Sequence, residues 1–201
     1  MLEQIHKVLT DCQLSLEHLT RNKETLEQLA GAAKALAGCL QSGGRVFSCG
    51  NGGSMSDAMH FAEELSGRFR ESRRPLAATA ISDPGHITCT GNDFGYEHIF
   101  SRYIEAHAKK GDMILAISTS GTSKNIILAM ETAQRLGAKV IGLTGKPETP
   151  MRPLSDFYLW TQGEGLYADR VQELHIKCIH ILIELCELQL FGSNLPEELA
   201  E

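Results

Sequence analysis

Apolar residues recur at Leu2, Ile5, Leu9, Cys12, Leu16 and Leu19, and again at Leu26, Leu29, Ala33, Leu36 and Leu40. Spacings of three and four put each set on one side of a helix. The pattern therefore predicts two amphipathic helices with a break at Asn22 and a stop at Gly43 and Gly44. The period then changes. Residues 46–49, 76–81, 113–117, 139–144 and 157–160 are short apolar runs bounded by glycines and polar turns, and read as buried strands. Helical patterns separate and follow them: one from Ser54 past Leu65, one from Glu97 to Ala108, one from about Ser123 to Leu136 and one from about Tyr167 to Leu190. Residues 86–90 suggest a short helix leading into a polar loop at 91–95. Short apolar strands alternating with helices imply an α/β fold, a parallel sheet covered on both faces in three α/β/α layers. The apolar stripe of the N-terminal helices needs a partner, which its own domain or a subunit interface could supply.

Chemistry concentrates after two of the strands. Gly50, Gly52 and Gly53 let a ligand approach the main chain, and Ser54 with Asp57 forms a capping-box pattern at a helix start. A glycine turn opening a helix aims backbone N–H groups at an anion or a polyol oxygen. His60 and Glu64 lie four apart on one helix face, away from Ala58, Phe61, Ala62 and Leu65; by spacing alone they are an ordinary solvated pair. The turn is not a dinucleotide fingerprint, because Met55 stands where the third glycine belongs. Nor is Gly145-Lys146 a phosphate-binding P-loop, since Pro147 follows. After the third strand, five of the six residues 118–123 carry hydroxyls. Hydroxyls and N–H groups at a helix start suit a phosphate monoester. Ligands of parallel sheets bind beyond the carboxyl ends of the strands, where the strand order reverses, so the two turns should sit side by side. In the last helix, Ile176, Ile179, Ile183, Cys186 and Leu190 define a buried stripe. Asp169 and Gln172 fall inside it and His180 on its flank, and buried polar groups must be paired or used.

Composition narrows the function classes. With 201 residues the chain makes one domain, or one domain with a helical addition. Its net charge of −6, with no basic run longer than the pairs Arg73-Arg74 and Lys109-Lys110, argues against nucleic acid as a partner. Glu3 and His6 interrupt any signal peptide, and no apolar run reaches membrane-spanning length. None of the six cysteines forms a Cys-x-x-Cys pair, so they read as reduced thiols of a cytoplasmic protein.

Together these residues resemble the phosphoheptose isomerases of the sugar isomerase (SIS) domain superfamily. The resemblance runs from about Gly43 to Leu190. It is carried by residues 48–54, 57–65, 91–95, 117–121 and 167–173, with His175 and His180. It implies a SIS fold with sheet order 2-1-3-4-5, divided into a helical oligomerisation arm (residues 1–43), the SIS domain (44–191) and a tail (192–201). Both N-terminal helices are then expected outside the sheet layers, packed largely on other subunits of a homotetramer. The implied activity is aldose–ketose isomerisation of sedoheptulose 7-phosphate, the first step toward the heptose of the lipopolysaccharide core. The implied phosphate pocket is Ser118, Thr119, Ser120 and Ser123, with sugar contacts from Asn51, Gly52, Gly53, Asn92 and Asp93. His60, Glu64, Gln172 and His180 match a divalent-metal site, zinc at one ion per subunit, with His60 and Gln172 also facing substrate. Glu64 and His180 match an acid/base pair, and Asp169 a residue beside it, orienting that histidine or a substrate hydroxyl. Two other classes share the fold: a silent SIS scaffold of the replication initiator-associating type, and a sugar-phosphate sensor without turnover. His60, Glu64, Gln172 and His180 together favour the enzyme.

Overall fold

In the computed structural model, which describes residues 1–163 and 167–192, Asn22 separates the N-terminal helices as expected. Its side chain accepts a hydrogen bond from the Thr25 amide (3.1 Å), capping α2 (Lys23–Gln41) directly after α1 (Leu2–Arg21). Five strands follow: β1 (Val46–Gly50), β2 (Ala78–Ala80), β3 (Met113–Ser118), β4 (Lys139–Thr144) and β5 (Phe157–Trp160). They form one parallel sheet in the order β2-β1-β3-β4-β5. Side chains alternate across a strand, and both faces are apolar. Met113, Leu115 and Ile117 enter a core with α2, α3 (Gly53–Ser66) and α7 (Ala168–Phe191). Ile114 and Ala116 enter a second core with α5 (Ser101–His107) and α6 (Lys124–Arg135). The expected three-layer α/β/α architecture is present. Residues 193–201 of the expected tail lie outside the described residues. No helix among the described residues is long and apolar enough to cross a membrane.

Several expectations are corrected. α2 is not outside the layers, for Leu29, Ala32, Ala33, Leu36 and Leu40 are buried against α7 and the sheet. Only α1 stands off, with Leu2, Ile5, Leu9 and Leu16 exposed and Ser15 and Leu19 buried. The capping box of Ser54 and Asp57 does not form. Gly52, at φ +56°, is the N-cap of α3, and Ser54 is buried inside its first turn. The polar loop at 91–95 is the end of α4 (Pro84–Phe94), because Asp83 caps that helix through the His86 amide (2.7 Å) and Pro84 starts it firmly enough to carry through Gly91. The helix expected over residues 97–108 is broken into a 3₁₀ turn, Tyr96–His98, and the seven-residue α5. On α7, Asp169 is exposed rather than part of the buried stripe. The buried face runs instead through Leu174, His175, Cys178, Ile179, Leu182, Ile183, Cys186 and Glu187.

α3 and α7, which bear the candidate site, are clamped by a buried ion pair. Arg73 Nε lies 2.6 Å from Glu187 Oε1, with side-chain exposures of 4% and 3%. The same guanidinium donates to the carbonyls of Glu64 (2.6 Å), Leu65 (2.9 Å) and Gly67 (2.9 Å). Those are orphan carbonyls at the C-terminus of α3, and a cation there opposes the helix dipole favourably. Removing one partner of such a pair strands a buried charge. Arg73→Ala should therefore lower the unfolding free energy by about 3–5 kcal/mol in urea titrations. The apolar double variant Arg73→Met/Glu187→Leu should recover part of that loss.

His175 is fully buried on α7, and among the described residues neither ring nitrogen has a hydrogen-bond partner. Burial pushes its pKa down to about 4, opposed by the Thr144 backbone beside it. Between the unfolded value of 6.5 and about 4, the unfolded chain binds a proton that the folded chain refuses. Stability should fall as pH drops through that window, by up to about 3 kcal/mol from this residue, and its contribution should level off below it. Urea titrations from pH 7 to 4 should show a shallower acid loss in His175→Leu than in the unsubstituted protein.

Candidate active site

The sheet order reverses between β1 and β3, and the two polar turns leave those strands side by side. Asn51 and Asn125 join them through reciprocal amide hydrogen bonds of 3.0 and 2.8 Å, and the Tyr96 hydroxyl donates to Asn51 Oδ1 (2.9 Å). With Glu97, Ser123 and Lys124, these residues line a cleft of about 280 Å³. Asn125 and Tyr96 were absent from the residues inferred by sequence. Asn125 stands in the first turn of a helix that follows a serine-rich loop, which was the available signal.

The serine turn is built from hydroxyls. Ser118 Oγ lies 3.1 Å from Ser123 Oγ and 3.4 Å from Ser120 Oγ, and accepts from the Gly121 amide (3.1 Å). Ser120 Oγ accepts from Thr122 Oγ1 (3.1 Å). Three of the four expected phosphate ligands thus converge at the start of α6. Thr119 and Ser120 also line a second cleft, of about 370 Å³, with Gly145, Lys146, Gln162 and Val171. Lys146 places a cation beside the turn that the motif alone did not indicate. Gly52 and Gly53 form the start of α3, and the Gln172 amide lies where a side chain at Gly53 would stand, so that amide would have to move to admit one. Asn92 and Asp93 are exposed on the last turn of α4, where Asn92 Nδ2 donates to Asp93 Oδ1 (2.7 Å).

One turn and more into α3, the polar side chains meet α7. His60 Nε2 lies 2.9 Å from His180 Nε2 and 3.4 Å from Glu64 Oε1. The rings of His60 and His180 meet edge to face, and Phe69 covers His180 from another side. Burial raises the Glu64 carboxyl above its usual value, and the Glu63 charge adds to that. Burial, followed by nearby cationic groups of His60, Lys177 and Arg70, lowers that of His180. A carboxyl pushed up and an imidazole pushed down have proton affinities drawn toward each other, which suits the two groups to proton transfer.

The remaining expected residues lie elsewhere on α7. Gln172, eight residues before His180, is about 12 Å from it along the axis; its amide sits against Gly53 and hydrogen-bonds Asp57. Asp57 itself is half-buried, with Oδ2 unpartnered among the described residues. Asp169 is separated from His180 by eleven residues, about 16 Å along the axis, with Arg170 Nη1 3.9 Å from its carboxylate. It cannot orient His180 of its own chain. His60 Nε2 lies between a second imidazole nitrogen, of His180, and a carboxylate oxygen, of Glu64, and imidazole and carboxylate are donor types that zinc takes. Glu63 joins His60 and Glu64 in a group of potential ligands, a residue that sequence inference passed over although its spacing of three from His60 was visible.

Known proteins share this sequence pattern and fold. A family model described as the SIS domain matches residues 12–145. The chain is 50% identical over 188 residues to the phosphoheptose isomerase of Aeromonas hydrophila, covering 94% of this chain and 97% of that one. Among solved structures, a phosphoheptose isomerase from Francisella tularensis superposes with a TM-score of 0.85 at 33% identity, covering 92% of this chain and 97% of that one. The phosphoheptose isomerase of Neisseria gonorrhoeae does so with a TM-score of 0.83 at 31% identity, over 92% and 98%. With the sheet order, the hydroxyl turn and the His60, Glu64 and His180 cluster already in place, the chain belongs to the phosphoheptose isomerase family of SIS-domain proteins.

Proposed function

We propose that this protein interconverts sedoheptulose 7-phosphate and the corresponding aldoheptose 7-phosphate by proton transfer, in the cytoplasm, on the path to the lipopolysaccharide core heptose. The observation that carries the reading is the contact of His60 with Glu64 on α3 and with His180 on α7, with family membership supporting the substrate. Ser118, Thr119, Ser120 and Ser123, with the N-terminus of α6, hold the distal phosphate. Asn51, Gly52, Gly53, Asn92 and Asp93 hold the polyol. That grip fixes the reacting carbons against α3.

Glu64 removes the proton from C1 of the ketose, leaving an enediol, and returns it to C2. His180 gives a proton to the oxygen on C2 and takes one from the oxygen on C1, so that charge and protons balance over the cycle. Asp169, exposed at the first turn of α7, contacts a substrate hydroxyl, since geometry denies it His180 of its own chain. His60, with Glu64 and His180 beside it, would hold one zinc ion per subunit, and the ion would supply Lewis-acid polarisation of the substrate carbonyl; Gln172, at Gly53 and Asp57, lies away from that group within one chain. Exposed Leu2, Ile5, Leu9 and Leu16 on α1 are covered by other copies of the chain in a homotetramer.

Glu64→Gln keeps the shape and removes the base. Turnover of sedoheptulose 7-phosphate should drop by roughly two to four orders of magnitude, with the urea midpoint little changed. Near-normal turnover would remove Glu64 from the mechanism, and phosphate binding without any isomerisation in the unsubstituted protein would favour a sensor. In heavy water, deuterium should appear at C2 of the aldose product; full retention of substrate hydrogen would replace proton transfer by a hydride shift. Sedimentation at micromolar concentration should give four copies, and a monomer would overturn the oligomer.

A further inference from the structure

Asn51 follows the C-terminal end of β1, and Asn125 stands in the first turn of α6. Asn51 Nδ2 donates to Asn125 Oδ1 (3.0 Å), and Asn125 Nδ2 donates to Asn51 Oδ1 (2.8 Å). Such a pair closes equally well with both amides turned over, every donor exchanged for an acceptor. A neighbouring group decides between the two. The Ile126 amide donates to Asn125 Oδ1 at 3.0 Å, sharing its hydrogen with the Ser123 carbonyl (3.1 Å). Turned over, Asn125 would set its NH₂ group against that N–H. The Tyr96 hydroxyl then donates to Asn51 Oδ1 at 2.9 Å. Gly95, at φ +93°, and the fully buried Ile99 and Phe100 flank the short turn that presents Tyr96. Asn125 itself is 3% exposed, so water competes little for its amide.

An amide oxygen has two lone pairs, and both of those on Asn51 are met, by Asn125 and by Tyr96. Its Nδ2 carries two hydrogens, and among the described residues Asn125 takes one of them. Asn51 also lines the cleft with Ser123 and Lys124. What it has left to offer there is a hydrogen. We propose that Asn125 and Tyr96 are positioning residues that act through Asn51: they lock its amide as a donor, so that this edge of the site takes an oxygen of the sugar phosphate that has a free lone pair. A group that only donates finds no partner at Asn51. The substrate half of this inference rests on the reading above that gives Asn51 to the polyol; the lock on the amide in the free protein does not.

The test is a double-mutant cycle on turnover of sedoheptulose 7-phosphate by the full chain. Asn125→Ala should raise KM by about 3- to 10-fold, the worth of one hydrogen bond, with kcat altered less. Tyr96→Phe removes one hydroxyl from an exposed residue (57%) and should raise KM by less. Neither change should cost anything further in an Asn51→Ala background, because the residue they act through is gone. Effects that add in full to that of Asn51→Ala overturn the proposal, since a side chain that touches substrate itself, or only supports the fold, has no need of Asn51. If Asn125→Ala does not fold, the Tyr96→Phe cycle decides alone. In ligand-free protein, ¹H–¹⁵N spectra should show the Asn51 Nδ2 hydrogens exchanging with solvent about 10-fold faster in Asn125→Ala, and equal exchange overturns the lock. Faster exchange in Asn125→Ala, with no turnover of sedoheptulose 7-phosphate by the unsubstituted protein, overturns the substrate reading and supports the lock.

Discussion

A buried guanidinium ties the end of α3 to α7. Arg73 leaves the segment after α3, turns back, and satisfies the carbonyls of Glu64, Leu65 and Gly67 while its charge is met by Glu187 on α7. One side chain thus ends α3, ties it to α7 and does so away from water, where an unpaired charge would be costly. The main-chain carbonyl it grips belongs to Glu64. The clamp therefore sets where the carboxylate of Glu64 emerges relative to His180, and the site inherits its geometry from a buried ion pair with no chemistry of its own. Midway along α3, Ser48 Oγ donates to the Ala58 carbonyl (2.7 Å), anchoring the helix to β1.

The same two helices explain the electrostatics. α7 is apolar along its core side, and α3 buries Phe61, Ala62 and Leu65. A carboxylate and an imidazole placed where such surfaces meet lose water, which favours the neutral form of each. Glu64 is raised and His180 lowered by that common cause. The hydroxyl turn is different. There the groups are hydroxyls, amides and a helix start, tied together by the Asn51–Asn125 amide pair across the point where strand order reverses. The fold thereby separates a turn of hydroxyls and amides from the pair of helices that carries the imidazoles and Glu64.

Local pattern is sufficient where local physics decides. The strands at 139–144 and 157–160 occur where apolar runs between glycines and turns require them, and Asn22 divides two helices because its side chain caps the second. The pattern misled where a longer-range term competed. Gly91, Asn92 and Asp93 resemble a turn, yet the Asp83 cap and Pro84 carry α4 through them. Ser54 and Asp57 resemble a capping box, yet packing buries Ser54 and leaves the cap to Gly52. The stripe on α2 looked free to meet another subunit, but α7 and the sheet were there to cover it.

The candidate site divides in the same way. Spacing along one chain segment was enough for His60 with Glu64, and for the hydroxyls of residues 118–123, because each set is adjacent on a single helix face or turn. No spacing relates α3 to α7, which are separated by more than a hundred residues in the chain; resemblance alone joined His180 to them. Tertiary structure decided that His180 meets His60, that Gln172 goes to Asp57 and Gly53, that Asp169 lies too far along α7 to serve the same histidine, and that Arg73, Glu187 and Asn125 hold the parts in place. Sequence by itself determined the elements, their order and the types of chemistry on offer, since those follow from periodicity and side-chain character. Which groups share a space depended on how helices and strands distant in sequence pack, and that is settled only when the whole core closes.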